Sequence, residues 1–137
     1  MRTLTLALAL IAAAPALAGE PPFPQEGDRW LLDVRGPAVA GAARFARVHG
    51  EPDARGGWAT HVTCGVVDLR TGRETVSLRA DGVADRARGG WLGGTYNPSP
   101  GPSGTGGFTV LEQAGLDAKV EMPTPCASGA AQFSSGD

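Results

Sequence analysis

The chain has 137 residues, and its 12 Lys and Arg residues against 14 Asp and Glu residues give a formal net charge of −2 at pH 7. This balance, without a basic cluster, argues against a nucleic acid partner. Lys119 is the only lysine, and this preference for arginine is typical of a GC-rich bacterial genome.

The N-terminus has the three regions of a secretory signal peptide. Arg2 supplies a positive charge, the run over 4–14 is apolar apart from Thr5, and Ala16 and Ala18 place small residues at the −3 and −1 positions of a cleavage site. A helix that spans a bilayer needs about 20 apolar residues, so this run is too short to be an anchor. We therefore predict cleavage after Ala18 and a secreted or periplasmic mature chain without a membrane span. Removal of 18 residues from 137 leaves 119, the size of one domain.

The rest of the chain, after a proline-rich leader over 20–25, contains short segments in which apolar and polar residues alternate. In residues 75–80, for example, Val76 and Leu78 face one way and Ser77 the other. Such alternation indicates half-buried antiparallel strands, and a spacing of about a dozen residues favours a barrel or sandwich. The predicted strands are 29–34, 42–48, 58–68, 75–80, 91–96, 108–111 and 118–122.

These strands predict an all-β fold, a small antiparallel barrel or sandwich of about seven short strands, within one domain over 19–126. A small α+β domain is the alternative. Thr71-Gly72 and Asp81-Gly82 are candidate hairpin turns, and residues 84–88 are compatible with one turn of helix. The segment 127–137 is small and polar apart from Phe133, and it predicts a flexible C-terminal tail.

Cys64 and Cys126 are the only cysteines. An even cysteine count in an exported protein usually indicates a disulfide. A bond between them would close a loop of about 60 residues and stabilise the fold by about 4 kcal/mol in the chain-entropy model. Two buried free thiols are the alternative, and a redox motif is disfavoured because the cysteines are far apart in sequence.

The sequence contains no motif for a catalytic nucleophile, a metal site or a phosphate-binding loop, so we assign no catalytic residue, no metal ligand and no cofactor. On a strand, His61 and Cys64 point to opposite faces and do not form a ligand pair. We interpret His61 as a structural or surface histidine. The acidic pairs lie in or beside turns, where acids form local hydrogen bonds. They are Glu26 with Asp28, Glu51 with Asp53, and Asp81 with Asp85.

Trp91 and Tyr96 are the candidate ligand-binding residues. They are surrounded by glycines and followed by the segment 97–107, whose only apolar side chains are prolines. This segment predicts a long surface loop, and loops on a rigid scaffold often carry function. We hypothesise that both aromatic side chains form one wall of a site beside this loop. The alternative is that they pack over one end of the fold.

The function these features predict is a non-enzymatic exported β-module that binds a small ligand or a protein partner. A small extracytoplasmic hydrolase is one alternative, and a structural or inhibitor protein of the cell envelope is another. The hydrolase hypothesis predicts a pocket with acids or with a histidine whose pKa is shifted. The binding hypothesis predicts an apolar cavity or an exposed aromatic patch.

Overall fold

The computed structural model describes residues 23–86, 91–98 and 105–135, so the predicted signal peptide lies outside the described residues. Eight antiparallel strands each pair with the next along the chain, and β1 also pairs with β8, which closes the sheet into a barrel. The predicted all-β class is confirmed, as a barrel with eight strands rather than seven. The strands are β1 (Trp30–Arg35), β2 (Ala42–Pro52), β3 (Trp58–Asp68), β4 (Glu74–Arg86), β5 (Leu92–Pro98), β6 (Gly106–Ala114), β7 (Asp117–Glu121) and β8 (Gly129–Ser135).

The two ends of the barrel are distinguished by strand direction. We call the end at which β1, β3, β5 and β7 finish the upper end, and the opposite end the lower end. The predicted Thr71-Gly72 turn is confirmed at the upper end, where Gly72 has a φ of 79° and its amide donates to the Asp68 carbonyl at 2.7 Å. A positive φ at this position costs glycine little.

Strand β8 corrects the prediction of a flexible tail over 127–137. Residues 129–135 pair with both β1 and β7. Phe133 is 4% exposed and packs in the interior with Ala131, whereas Gln132 between them faces solvent. The segment therefore has the alternation of a strand, which its alanines and serines conceal because they are weak strand formers.

Strand β4 corrects two further predictions. It continues through Asp81 and Gly82 to Arg86, so these residues form neither a hairpin turn nor, over 84–86, a helical turn. Gly82 instead allows close approach of β5, because a Cβ at this position would overlap the Thr95 carbonyl. Strands β5 and β6 also take up both ends of the predicted 97–107 loop, and residues 99–104 lie outside the described residues.

Glycines on the strands make room for aromatic rings. Four aromatic residues each stand directly opposite a glycine on the neighbouring strand, and a Cβ on that glycine would meet the ring. The ring covers the glycine, which removes backbone from solvent and fills the space left by the missing side chain. The pairs are Trp30 with Gly50, Phe45 with Gly65, Tyr96 with Gly106, and Phe108 with Gly94.

The lower end is filled by aromatic side chains. Trp30 makes edge-to-face contacts with Trp58 and Phe133 at centroid distances of 6.0 and 5.9 Å. Residues before β1 lie over this end, because the Trp58 indole N–H donates to the Asp28 carbonyl at 2.8 Å. An eight-stranded barrel has an interior just wide enough for side chains to fill or for one small ligand. At this end, side chains fill it.

Candidate functional site

The upper end opens into a cleft of about 440 Å³, which we call the mouth cleft. Its walls are the inner faces of β2 and β3 beyond the packed interior, together with the turns over 36–41 and 122–128. Two apolar wall residues remain open to solvent, Val39 at 70% and Val66 at 44% exposure. The apolar lining comprises Pro37, Val39, Ala42, Ala43, Val66, Met122, Cys126 and Ala127.

The β2 and β3 wall is held in place from its outer side. Phe45 and Val67 form a second buried cluster on the outer face, packed against Val76 of β4. A register shift after Cys64 places the extra residue Ser77 in β4, and the Ser77 hydroxyl donates to the Cys64 carbonyl at 3.3 Å. A bulge of this kind bends a strand locally, and here it accompanies the change from inner to outer packing.

Arg47 links three strands on the same outer face. Its guanidinium lies 5.1 Å from the centre of the Phe45 ring. It donates to both Glu74 carboxylate oxygens, at 3.2 and 2.7 Å, and to Asp33 at 3.2 Å. Hydrogen bonding to Arg47 lowers the pKa of Glu74. The bidentate pair joins β2 to β4 and fixes the geometry of the cleft wall.

The rim of the cleft is a tight turn between β1 and β2. Val39 and Ala42 exchange two backbone hydrogen bonds around Ala40 and Gly41, whose φ values are 51° and 81°. Two positive φ values are the geometry of a type I′ turn, and alanine is strained in this conformation. The Leu69 amide donates to the Gly41 carbonyl at 2.9 Å, so the rim turn is tied to the β3–β4 turn.

The base of the cleft contains the disulfide. Cys64 and Cys126 are joined, as predicted, with a Cα–Cα distance of 5.1 Å. The Tyr96 hydroxyl lies 3.3 Å from the Cys126 sulfur, and burial raises the pKa of Tyr96. The Ser128 hydroxyl contacts the Met122 amide and carbonyl at 3.2 and 3.0 Å, closing the 122–128 turn. The disulfide and the Ser128 hydrogen bonds therefore fix the base of the cleft.

A second depression of about 390 Å³ lies on the outer wall. His61 Nδ1 is 2.8 Å from Asp81 Oδ1, and His61 Nε2 is 3.4 Å from Glu51 Oε2. Glu51 also pairs with Arg29 at 3.2 Å. The hydrogen bond with Asp81 raises the pKa of His61 above its usual value of 6.5. As expected from the sequence, His61 is on the outer face and Cys64 on the inner face.

The outer-wall cluster of His61, Asp81 and Glu51 contains ionisable side chains, but it has no nucleophile and no metal site among the residues that the structure describes. Within residues 23–86, 91–98 and 105–135, no serine, threonine or cysteine is hydrogen-bonded to His61, and no group of three ligands is arranged to hold a metal ion. Both ring nitrogens of His61 face carboxylates. The arrangement stabilises a protonated imidazole rather than activating a nucleophile.

Trp91 and Tyr96 occupy different places. Tyr96 is 2% exposed, with its ring inside the barrel over Gly106. Trp91 is half-buried at the lower end, where it meets Phe23 edge-to-face at 5.7 Å. The two side chains do not share one wall, and neither lines the mouth cleft. Their predicted role in ligand binding stays a prediction.

Sequence reasoning missed Arg44 and Val66 as cleft residues. Both residues stand at inward-facing positions of their strands. Arg44 alternates in step with the inward-facing Ala46 and Val66 with Val62, but both Arg44 and Val66 are exposed. An arginine at an inward-facing position near a strand end is the signal that marks an open barrel end, since a filled interior excludes it.

Comparison with protein-family models, curated proteins and solved structures gives no match for this chain. No helix that is long and apolar enough to cross a membrane occurs in the part of the chain that the structure describes. The function of this chain is therefore inferred from its own geometry.

Proposed function

We propose that this protein is exported with cleavage after Ala18 and that its barrel binds a small, largely apolar ligand in the mouth cleft, without catalysing a reaction on it. The mouth cleft is the observation that carries the proposal. Its volume of about 440 Å³ lies in the range of roughly 300–1,000 Å³ typical of small-molecule sites.

The rigidity of the cleft supports binding. The Cys64–Cys126 disulfide, the Arg47–Glu74 pair and the hydrogen-bonded rim turn each fix one part of it. A pre-formed site loses little conformational entropy when a ligand enters, which raises the affinity obtained from a small contact area. The disulfide also supports export, because such bonds persist in oxidising compartments.

Blocking the cleft tests this proposal. Val66→Trp places an indole in the cleft, and Val83→Trp places one on the outer face of β4, where Val83 is 37% exposed. The neutral fluorescent probe N-phenyl-1-naphthylamine should bind Val66→Trp at least tenfold more weakly than the unmodified protein. Its affinity for Val83→Trp should stay within twofold. Equal affinities for both variants would exclude the mouth cleft as the binding site.

A small hydrolase is the second candidate function, and the His61 cluster is the observation that favours it. His61 lines a depression and has a raised pKa, which fits the expectation for an acid–base residue. Hydrolysis of p-nitrophenyl acetate should then fall at least a hundredfold in His61→Ala. The binding proposal predicts equal rates for the two proteins.

A further inference from the structure

The position of Arg44 gives the mouth cleft a charge. Arg44 stands opposite Val66 on the inner side of the β2–β3 wall, lines the cleft and is exposed. Its carbonyl accepts a hydrogen bond from the Gly36 amide at 3.0 Å. The backbone that carries this side chain is therefore fixed at the cleft wall, and the guanidinium is available to the cleft.

Arg44 forms no ion pair with any residue that the structure describes. The acids at the adjoining strand ends have other partners. Asp68 accepts the Arg70 and Thr71 amides at 2.9 and 3.3 Å, and Glu74 is held by Arg47. Arg47 and Arg44 lie on opposite faces of the same strand, one with two carboxylates and the other with none.

The surroundings of the cleft favour an anion. In the described turns and within three residues of the strand ends, the upper end carries four arginines against four acids, whereas the lower end carries three arginines against seven acids, with Lys119 midway along β7. Such a charge difference raises the local concentration of anions at the upper end relative to the lower end. The upper residues are Arg35, Arg44, Arg70 and Arg73 against Asp33, Asp68, Glu74 and Glu121. The lower residues are Arg29, Arg55 and Arg86 against Glu26, Asp28, Glu51, Asp53, Asp85, Glu112 and Asp117.

We infer that the mouth cleft selects free small molecules with an apolar body and one anionic oxygen group, such as a carboxylate or sulfonate, which Arg44 binds. This inference rests on the binding function proposed above. The planar guanidinium matches two oxygens of such a group. The apolar body contacts Val39, Val66 and Met122 on the remaining wall. The cleft therefore recognises both the charge and the apolar surface of the ligand.

Two probes with the same body test this selectivity. N-phenyl-1-naphthylamine is neutral, and 1-anilinonaphthalene-8-sulfonate adds one sulfonate to the same ring system. The protein should bind the sulfonate at least tenfold more tightly, a difference of about 1.4 kcal/mol, because the sulfonate accepts charge-assisted hydrogen bonds from Arg44. This advantage should shrink in 1 M NaCl, where charges at an exposed site are screened.

Arg44→Gln should lower the affinity for the sulfonate at least tenfold and leave the affinity for the neutral probe within twofold. Arg35→Gln is the matched control, since Arg35 is also an exposed arginine at the upper end but pairs in register with the outward-facing Phe45. It should change neither affinity by more than twofold.

The outcomes separate this inference from the proposed function. If Val66→Trp blocks both probes but Arg44→Gln weakens neither, the cleft binds apolar ligands without charge selection and the inference is overturned. The same conclusion follows if Arg35→Gln weakens the sulfonate as much as Arg44→Gln does. If neither probe binds the unmodified protein, the proposed function itself fails.

Discussion

The two ends of this barrel are built from the same eight strands and differ in the size of their inward-facing side chains. At the lower end, Trp30, Trp58 and Phe133 meet edge-to-face and fill the interior. At the upper end, Ala42 and Val66 occupy the inward positions and leave a cleft. In a barrel of this width, a few side-chain volumes decide whether an end is core or binding site.

Removing a lower-end aromatic residue should have the largest effect on stability. Trp58 is buried and hydrogen-bonded to the Asp28 carbonyl, so Trp58→Ala should lower the free energy of unfolding by about 3–5 kcal/mol. Trp91→Ala is the control, because Trp91 is half-buried at the surface and should cost about 1 kcal/mol. Urea denaturation measures both. Equal losses would show that the lower end is not a tightly packed core.

Removing the disulfide should have the next largest effect. Cys64→Ala with Cys126→Ala deletes a link across 62 residues and should cost about 2–4 kcal/mol, mainly because the unfolded chain gains freedom. Urea denaturation of the double variant gives this value, and non-reducing mass spectrometry of the unmodified protein should find the two cysteine peptides joined. Alkylation of both cysteines without a reductant would contradict the bond.

A pair of adjacent glycines tests the packing of aromatic rings over glycine. A Cβ at Gly94 would overlap the Phe108 ring, whereas a Cβ at Gly93 would lie 3.5 Å from the nearest atom, the Phe108 carbonyl oxygen. Gly94→Ala should therefore cost about 1–3 kcal/mol through overpacking, and Gly93→Ala should change stability by no more than about 0.5 kcal/mol. Thermal denaturation ranks the two variants, and a larger loss for Gly93→Ala would overturn the pairing.

The outer wall should give the smallest effect and one that depends on pH. Because the pKa of His61 is raised in the folded state, its protonated form stabilises the fold below the unfolded pKa near 6.5. This contribution is lost as pH rises through the folded pKa. His61 and Asp81 are exposed, so the gain is screened to about 0.3 kcal/mol. Asp81→Asn should be less stable than the unmodified protein at pH 5.5 and equal at pH 9 in urea denaturation. A deficit of the same size at both pH values would contradict this role for His61.

The alternation of apolar residues predicted most of the lower end. Trp30, Trp58 and Val62 lie on inward faces as expected, because large apolar residues at every second position of a strand indicate a buried face. Strand β8 was missed because Ala131 and Gln132 give a weak pattern, and its order comes from pairing on both sides. The prediction of a turn at Asp81-Gly82 is wrong because a glycine that allows close approach of two strands cannot be told from a turn glycine in the sequence.

The mouth cleft was less accessible to sequence reasoning. It is formed by residues distant in the chain, with Val39 and Val66 on one side and Met122 on the other. Their meeting depends on barrel closure and on how far β2 and β3 extend beyond the core, which no local pattern reports. The one local indication in the sequence was Arg44, a charged residue at an inward-facing position of β2. The sequence instead predicts a site at Trp91 and Tyr96, which lie in a glycine-rich segment, although Tyr96 is packed in the interior.

The most direct test of the account is to map a bound probe on the barrel by amide NMR. On titration with N-phenyl-1-naphthylamine, shift changes should concentrate at Gly36, Val66 and Ser128, which line the mouth cleft. Amides at the lower end, such as those of Trp30 and Trp58, should stay unchanged. Changes centred on the lower end or on the outer wall around His61 would contradict the claim that the upper end is the binding site.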